Sequence, residues 1–333
     1  MEEFIRSPDG RFSALAVALF AHQFEANRPY RAYCEALGAT PDGVGAWDEV
    51  PAVPADTFKA GLPLSCFPSG DAARVFLTSG TTAEVRGRHY FAQLDTHALS
   101  IRRGWEDAGL PRLASRLFLS RPPGAHPESS LAFMFETLGA PPATSRWLLD
   151  PDGRPRPGLL ESAAAGGEPV LLFGTSLALL HLLEALPAPV PLPAGSWIFH
   201  TGGYKGQRRR TDPAELAALA EDGLRVPPGR TINEYGMTEL SSQCYAAGPD
   251  APHRAPAWMK VRVLNPETGR PQPPGESGYL EFHDLANLGS VQAVRTQDFG
   301  RAVDDHTFHL EGRDPGALPR GCSRASHGAL SPA

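Results

Sequence analysis

Three short segments carry residue types suited to handling a phosphate chain. The first is Thr78-Ser-Gly-Thr-Thr82, five small or hydroxylated residues directly after the apolar run Val75-Phe-Leu77. Gly80 lets the backbone approach an anion, while the hydroxyls of Thr78, Ser79, Thr81 and Thr82 donate hydrogen bonds without bulk. Taken alone, the cluster reads as a strand-ending turn, and no Gly-x-x-x-x-Gly-Lys-Ser/Thr loop occurs in the chain. The second segment is Asn233-Glu-Tyr-Gly-Met-Thr-Glu239. It joins a flat ring (Tyr235), a turn residue (Gly236), a hydroxyl (Thr238) and a carboxylate (Glu239) suited to a hard cation. Its plainer reading is a helix start, with Thr238 capping and Glu239 favouring the dipole. The third is Thr296-Gln-Asp298, whose carboxylate is a natural double acceptor for paired hydroxyls.

Cys322 sits in Arg320-Gly-Cys-Ser-Arg324, where flanking cations favour a nucleophilic thiolate. A lone cysteine reads equally well as an incidental thiol. The four cysteines, Cys34, Cys66, Cys244 and Cys322, show no Cys-x-x-Cys pair and no zinc-like spacing, and read as reduced. His126 and His200 read first as packed core histidines, and Leu131-Ala-Phe-Met-Phe135 as core before acyl tunnel.

The elements that must position these groups follow from periodicity. Phe12, Leu15, Ala16, Leu19 and Phe20 mark the buried face of a helix. Asn27-Arg-Pro29 interrupts it, and a second helix runs from Pro29 to Gly38. Val170–Phe173 is a strand followed by a helix over Leu177–Leu186, and Trp197–His200 is a strand ending in Thr201-Gly-Gly203. Next comes a helix capped by Asp212, opened by Pro213, boxed by Glu215 and closed by Gly223, and then a strand from Thr231. The alternation predicts an α/β fold with a largely parallel sheet and ligands beyond the strand ends. From Val261–Leu264 and Gly278–Phe282 the pattern becomes a hairpin or small barrel.

The chain has 333 residues, a net charge of -6 and 41% hydrophobic content. That balance gives no general attraction to nucleic acid or anionic membrane, so anion binding must rest on local groups. No apolar run approaches the roughly 20 residues that cross a bilayer. The N-terminus Met1-Glu-Glu-Phe-Ile-Arg6 is acidic where an export segment is basic, which places the protein in the cytoplasm as an expectation.

Together these segments resemble the adenylate-forming enzymes, and within them the acyl-protein synthetase (LuxE-like) family. The likeness runs through Phe20-Ala-His-Gln23, Tyr30-Arg-Ala-Tyr-Cys34, Val53–Lys59, Thr78–Thr82, Pro127–Met134, Glu234–Tyr245 and Asp284-Leu-Ala-Asn287. The resemblance implies activation of a carboxylic acid, with fatty acids among the candidates, by ATP and Mg²⁺. It assigns Thr78, Ser79, Gly80, Thr81 and Thr82 to the β- and γ-phosphates, and Arg86 to the charge that a lysine carries in the common pattern. Here Ala83, Val85 and Arg86 stand where that pattern has Gly, Pro and Lys. It assigns Asn233, Glu234, Tyr235 and Gly236 to the adenine segment, Gly202 and Gly203 to the adenine plane, Thr238 to the α-phosphate and Glu239 to the metal. Asp298 would bind the ribose hydroxyls, and Arg313 in Glu311-Gly-Arg313 reads as a ribose or phosphate contact or an exposed ion-pairing arginine.

The implied product is an acyl-AMP, and the implied acceptor a protein thiol, Cys322, serving a reductase, transferase or carrier protein. The implied layout is a helical segment over 1–70, an α/β core over 71–316 that is β-rich from about 259, and a tail over 317–333. The family's mobile C-terminal domain, about 100 residues, has no counterpart before Ala333. The expectation is therefore transfer to protein ahead of CoA or carrier-protein ligation of the phenylacetate-activating type, with a non-catalytic nucleotide-binding or docking subunit as the reading from another class.

Overall fold

The computed structural model of the protein describes residues 1–78, 86–139, 145–156, 158–202 and 213–313. Its helices are α1 (Glu2–Arg6), α2 (Phe12–Ala26), α3 (Arg28–Ala36), α4 (Asp95–Asp107), α5 (Ser130–Gly139), α6 (Leu159–Ala165), α7 (Ser176–Ala185) and α8 (Pro213–Leu224). The strands begin with β1 (Val53–Pro54), β2 (Arg74–Leu77), β3 (Arg88–Phe91), β4 (Ser115–Leu119), β5 (Ser145–Trp147), β6 (Val170–Thr175) and β7 (Trp197–Thr201). They continue with β8 (Thr231–Tyr235), β9 (Cys244–Ala247), β10 (His253–Arg254), β11 (Met259–Leu264), β12 (Ser277–Asp284), β13 (Ala293–Ala302) and β14 (Thr307–Arg313). No described helix is long and apolar enough to cross a membrane.

The chain forms two compact units. The first takes residues 1–104, 237–243 and the described residues from 254 on; the second takes 105–236 and 244–253. In the first unit, α2 buries Phe12, Ala16, Leu19 and Phe20, the face that their spacing predicts. Asn27 caps α3, its side chain accepting the Tyr30 N–H at 3.2 Å, with Pro29 in the first turn where a missing amide costs nothing. Past the helix end, Gly38 takes φ +70°, which an L side chain resists. Helices α1 and α2 pack on Trp258, Leu285 and Ala286 through Phe4, Ile5, Phe12 and Ala16. The hairpin expected between Val261 and Phe282 is β11–β12, with those two residues paired. Antiparallel pairing continues through β13 and β14, and β1 lies parallel to β13. β2 and β3 form a separate hairpin in which Phe76 faces His89.

The second unit holds the parallel strands in the order β5-β4-β6-β7-β8, with β9 antiparallel beside β8. Alternate residues point to opposite faces. Leu117, Leu172 and Ile198 therefore meet Leu179, Leu216 and Leu224 from α7 and α8. On the other face Phe118, Phe173 and Phe199 stack at 4.7 and 5.0 Å and receive Phe135 from α5. Phe135 is fully buried there as core. Helix α8 opens at Pro213 with Glu215 in its first turn, while the expected cap Asp212 lies outside the described residues. Gly223 does not close the helix. It lies inside, where an added Cβ would come within 3.2 Å of Leu183, and it is Arg225 that takes the left-handed φ of 57°. The observed class, α/β with a mixed sheet, is the one read from the sequence.

Candidate functional site

In the first unit the predicted phosphate loop rises from a closed stem. The Thr78 N–H donates to the Gly87 carbonyl at 2.9 Å, and the Gly87 N–H donates to the Thr78 hydroxyl at 2.8 Å. Arg86 Nε donates to the Thr78 carbonyl at 2.8 Å and Nη2 reaches the Leu77 carbonyl at 3.4 Å. The guanidinium thus braces the stem with two of its nitrogens. Ser79, Gly80, Thr81 and Thr82 lie outside the described residues.

The stem leads to Asp298 through the turn Ala55–Lys59. A Cβ on Gly87 would stand 3.3 Å from Phe58 and from Lys59, so strand and turn are in close contact. Lys59 Nζ pairs with Asp56 at 3.1 Å, Gln297 donates to Asp56 at 2.8 Å, and Arg313 donates to Gln297 at 2.8 Å. Asp298 and Arg313 are direct cross-strand partners on β13 and β14. Thr78, Arg86, Asp298 and Arg313, distant in sequence, are thereby linked through one short chain of contacts.

Thr238 and Glu239 join the same unit on a turn, not at a helix start: the Leu240 N–H donates to the Met237 carbonyl, and no helix follows. His89 Nδ1 lies 2.7 Å from the Thr238 carbonyl, which can only accept, so that nitrogen carries the proton. Asn287 Nδ2 donates to the Glu239 carbonyl at 3.0 Å. Next along, Asp284 accepts from the Ser241 N–H at 2.8 Å and the Ser242 hydroxyl at 2.7 Å. Trp258 Nε1 donates to Ser242 at 2.9 Å. Burial raises the Asp284 carboxyl to about 6 and lowers His89 to about 4.

In the second unit the remaining candidates stand at adjacent ends of parallel strands, where α/β sheets bind ligands. Thr175 pairs with Thr201 and Thr201 with Glu234, which puts Gly202 and Gly236 just past neighbouring strand ends. Gly202 is exposed; among the described residues nothing lies within 4 Å of where its Cβ would be, and its φ is not left-handed. Asn233 pairs with His200 in register. Tyr235 is 8% exposed, its ring edge-on to His253 at 6.2 Å. The Glu234 side chain is buried and accepts the Thr201 hydroxyl, and desolvation raises its pKa to about 7.

The two histidines differ. His200 is buried as core, with Nδ1 3.0 Å from Ser176 Oγ. Ser176 spends its proton on the Thr201 carbonyl at 2.9 Å, so the pair is not a nucleophile with its base. His126 is not a core residue: the surface turn Pro123–Ala125 carries it outward, its side chain is 37% exposed, and Nδ1 lies 3.8 Å from Glu128.

The backbone matches solved ligases along most of its length. A 2-hydroxyisobutyryl-CoA ligase in complex with 2-HIB-AMP and CoA aligns over 92% of this chain and 69% of its own, at 15% identity and a TM-score of 0.64. The fold is that of the adenylate-forming ligases. ATP-bound MatB from Rhodopseudomonas palustris shares this adenylate-forming architecture over 83% of this chain and 55% of its own (20% identity, TM-score 0.54). So does a long-chain-fatty-acid-CoA ligase from Archaeoglobus fulgidus, over 74% and 52% (16% identity, TM-score 0.51). In sequence, the chain is distantly homologous to the long-chain-fatty-acid–luciferin-component ligase of Aliivibrio fischeri, 28% identical over 101 residues. That stretch is 30% of this chain and 26% of the relative's length. No family model matches.

The segments that carry the resemblance are structural members of this adenylate-forming fold. Gln23 Nε2 donates to the Asn287 carbonyl at 2.8 Å and its Oε1 accepts the Gln292 N–H at 2.9 Å. Tyr30 and Tyr33 donate their hydroxyls to the Pro51 and Ala52 carbonyls. The glutamine bonds clamp α2 onto the chain at Asn287 and Gln292, and the tyrosine bonds tie α3 to the segment before β1. His89, Asn287 and Asp284 were not singled out as site residues from the sequence. Only Asp284-Leu-Ala-Asn287, quoted for the resemblance, hinted at them.

Among the described residues there is no cluster of three or more His, Cys, Asp or Glu able to hold a metal ion. Mg²⁺ binds through one or two carboxylates plus phosphate oxygens and water instead of an all-protein cage. Glu239, the carboxylate that the resemblance assigns to it, is 7% exposed on its braced turn. Gly203 and Cys322 lie outside the described residues. Cys34, Cys66 and Cys244 are free thiols, and burial holds Cys34 and Cys66 up at about 12, far from a reactive thiolate.

Proposed function

We propose that the protein activates a carboxylic acid with ATP and passes the acyl group to a thiol. The carboxylate oxygen attacks the α-phosphorus, the bond to the β-phosphate oxygen breaks, and acyl-AMP and pyrophosphate form. The thiolate then attacks the acyl carbon and AMP leaves. A carboxylate is already a nucleophile, so the first step needs no strong base; hydroxyls, amides and cations lower the repulsion between the anions. Mg²⁺, when bound through Glu239, supplies charge neutralisation on the phosphates. The reading gives the loop Thr78–Thr82 and Arg86 to the phosphates, Thr238 to the α-phosphate, and Asp298 with Arg313 to the ribose. It gives Gly202, Gly203 and Asn233–Gly236 to the base.

What carries the reading is the fold match over 92% of the chain to a ligase crystallised with an acyl-adenylate. The linked placement of Thr78, Arg86, Asp298 and Arg313 adds to it. For the acceptor, the distant homology to the luciferin-component ligase supports a protein thiol, by this reading Cys322, with a fatty acid as substrate and a reductase, transferase or carrier protein as recipient. The matches to CoA ligases support CoA as the second candidate acceptor. A non-catalytic nucleotide-binding role draws support from Arg86, whose guanidinium braces the hairpin stem.

Acid-dependent exchange of labelled pyrophosphate into ATP tests the first step. Exchange with at least one acid from a panel of short, aromatic and long-chain carboxylates is expected. ATP binding without exchange for any of them would leave the non-catalytic reading standing instead.

A further inference from the structure

The turn bearing Thr238 and Glu239 lacks regular secondary structure, yet two of its carbonyls are held by buried side chains from other parts of the first unit. His89, 1% exposed on β3, donates from Nδ1 to the Thr238 carbonyl. Asn287, also 1% exposed, donates to the Glu239 carbonyl. His89 Nε2 and Asn287 Oδ1 stand 3.0 Å apart, so the two side chains that hold the successive carbonyls are in direct contact. The histidine is fixed in turn: its ring packs 4.3 Å from Phe91 and 5.5 Å from Phe58, and its strand pairs with the stem that ends at Thr78.

Buried polar groups of this kind are costly unless fully paired, and a simple apolar pair would fill the same space. What the polar pair adds is a fixed main-chain conformation at two successive residues, in register with the hairpin stem. An active-site group displaced by about 1 Å costs on the order of 100-fold in rate, and an unbraced turn samples such displacements.

We propose that His89 and Asn287 are positioning residues: they preset the Thr238–Glu239 turn, and so the hydroxyl and carboxylate it carries, before nucleotide and metal bind. The bracket stands on geometry alone; its purpose rests on the acid-activation reading.

The test uses the full chain with His89→Leu, Asn287→Leu and the milder His89→Asn, which keeps a donor near Nδ1. Amide hydrogen exchange without nucleotide is followed over residues 236–243, and binding of Mn²⁺ with ATP is measured by electron paramagnetic resonance. Both leucine variants are expected to speed exchange in this segment while β11–β13 stay protected, and to weaken Mn²⁺ binding about ten-fold or more. His89→Asn should recover most of both. Unchanged exchange at 236–243 in the leucine variants, or faster exchange with unchanged Mn²⁺ affinity, would overturn the proposal. If His89→Leu does not fold, the same contrast is read between Asn287→Leu and His89→Asn. A wild-type protein that binds no Mn²⁺ with ATP would instead count against the ligase reading, while the exchange data still decide the bracket.

Discussion

Thr78 and Gly87 hold each other by two hydrogen bonds, one through each main-chain N–H, and a Cβ on Gly87 would fall 2.8 Å from Thr78 Cγ2. Gly87→Ala should therefore open the stem, costing about 1–3 kcal/mol by overpacking. Thr78→Ser keeps the hydroxyl and removes the methyl, so the double variant should regain much of that loss. Urea denaturation of the three proteins measures it; equal losses for the single and double variants would refute the contact.

Asp284 accepts from Ser241, Ser242 and the Ala286 N–H while fully buried. Asp284→Ala leaves several buried donors without an acceptor and is expected to cost about 3 kcal/mol or more. Asp284→Asn retains one oxygen and should cost clearly less. Thermal unfolding of both decides it, and near-wild-type stability of the alanine variant would contradict the network.

What could be read from the sequence divides along the range of the interactions. The helix break at Asn27-Arg-Pro29, the buried stripe of α2 and the strands before Thr201 and Tyr235 depend on neighbours a few residues away, and the pattern states them. Gly223 was misread because a closing glycine and a close-packed one look alike until Leu183 is placed against it. The plainer alternative for Thr238, a helix cap, suits its local chemistry, but the turn there is held by carbonyl bonds from His89 and Asn287. His126 reads as a packed core histidine and stands half-buried beside a turn. Residue types announced the candidate site; its supporting shell is long-range and left no local signal.

Glu234 makes stability depend on pH in a stated direction. Its carboxyl sits at about 7 when folded, against 4.5 for a free side chain, so the folded state holds a proton that the unfolded chain has released. Its contribution to stability therefore falls as pH rises from 4.5 through 7. Glu234→Gln, which can still accept from Thr201, should be more stable than wild type above that window, by on the order of 3 kcal/mol. The buried histidines His89, His97 and His200, held at about 4, act oppositely: their contribution is complete above 6.5 and lost as pH falls toward 4. The difference between wild type and variant isolates Glu234, and a difference that does not change with pH would disprove the assignment.

If Cys322 is the acceptor, intact-mass analysis after incubation with ATP, Mg²⁺ and a competent acid should show one acyl adduct that hydroxylamine removes. Cys322→Ser should abolish the adduct and leave pyrophosphate exchange intact. Release of free acyl-CoA at the wild-type rate by that variant would transfer the acceptor role to CoA.

The central claim, attack of a carboxylate on the α-phosphorus of ATP, is tested most directly with an acid labelled with ¹⁸O in its carboxylate. Turnover with a thiol acceptor should place one labelled oxygen in AMP and none in pyrophosphate. Label appearing in orthophosphate, with ADP as the other product, would mean activation at the γ-phosphorus and would contradict the account.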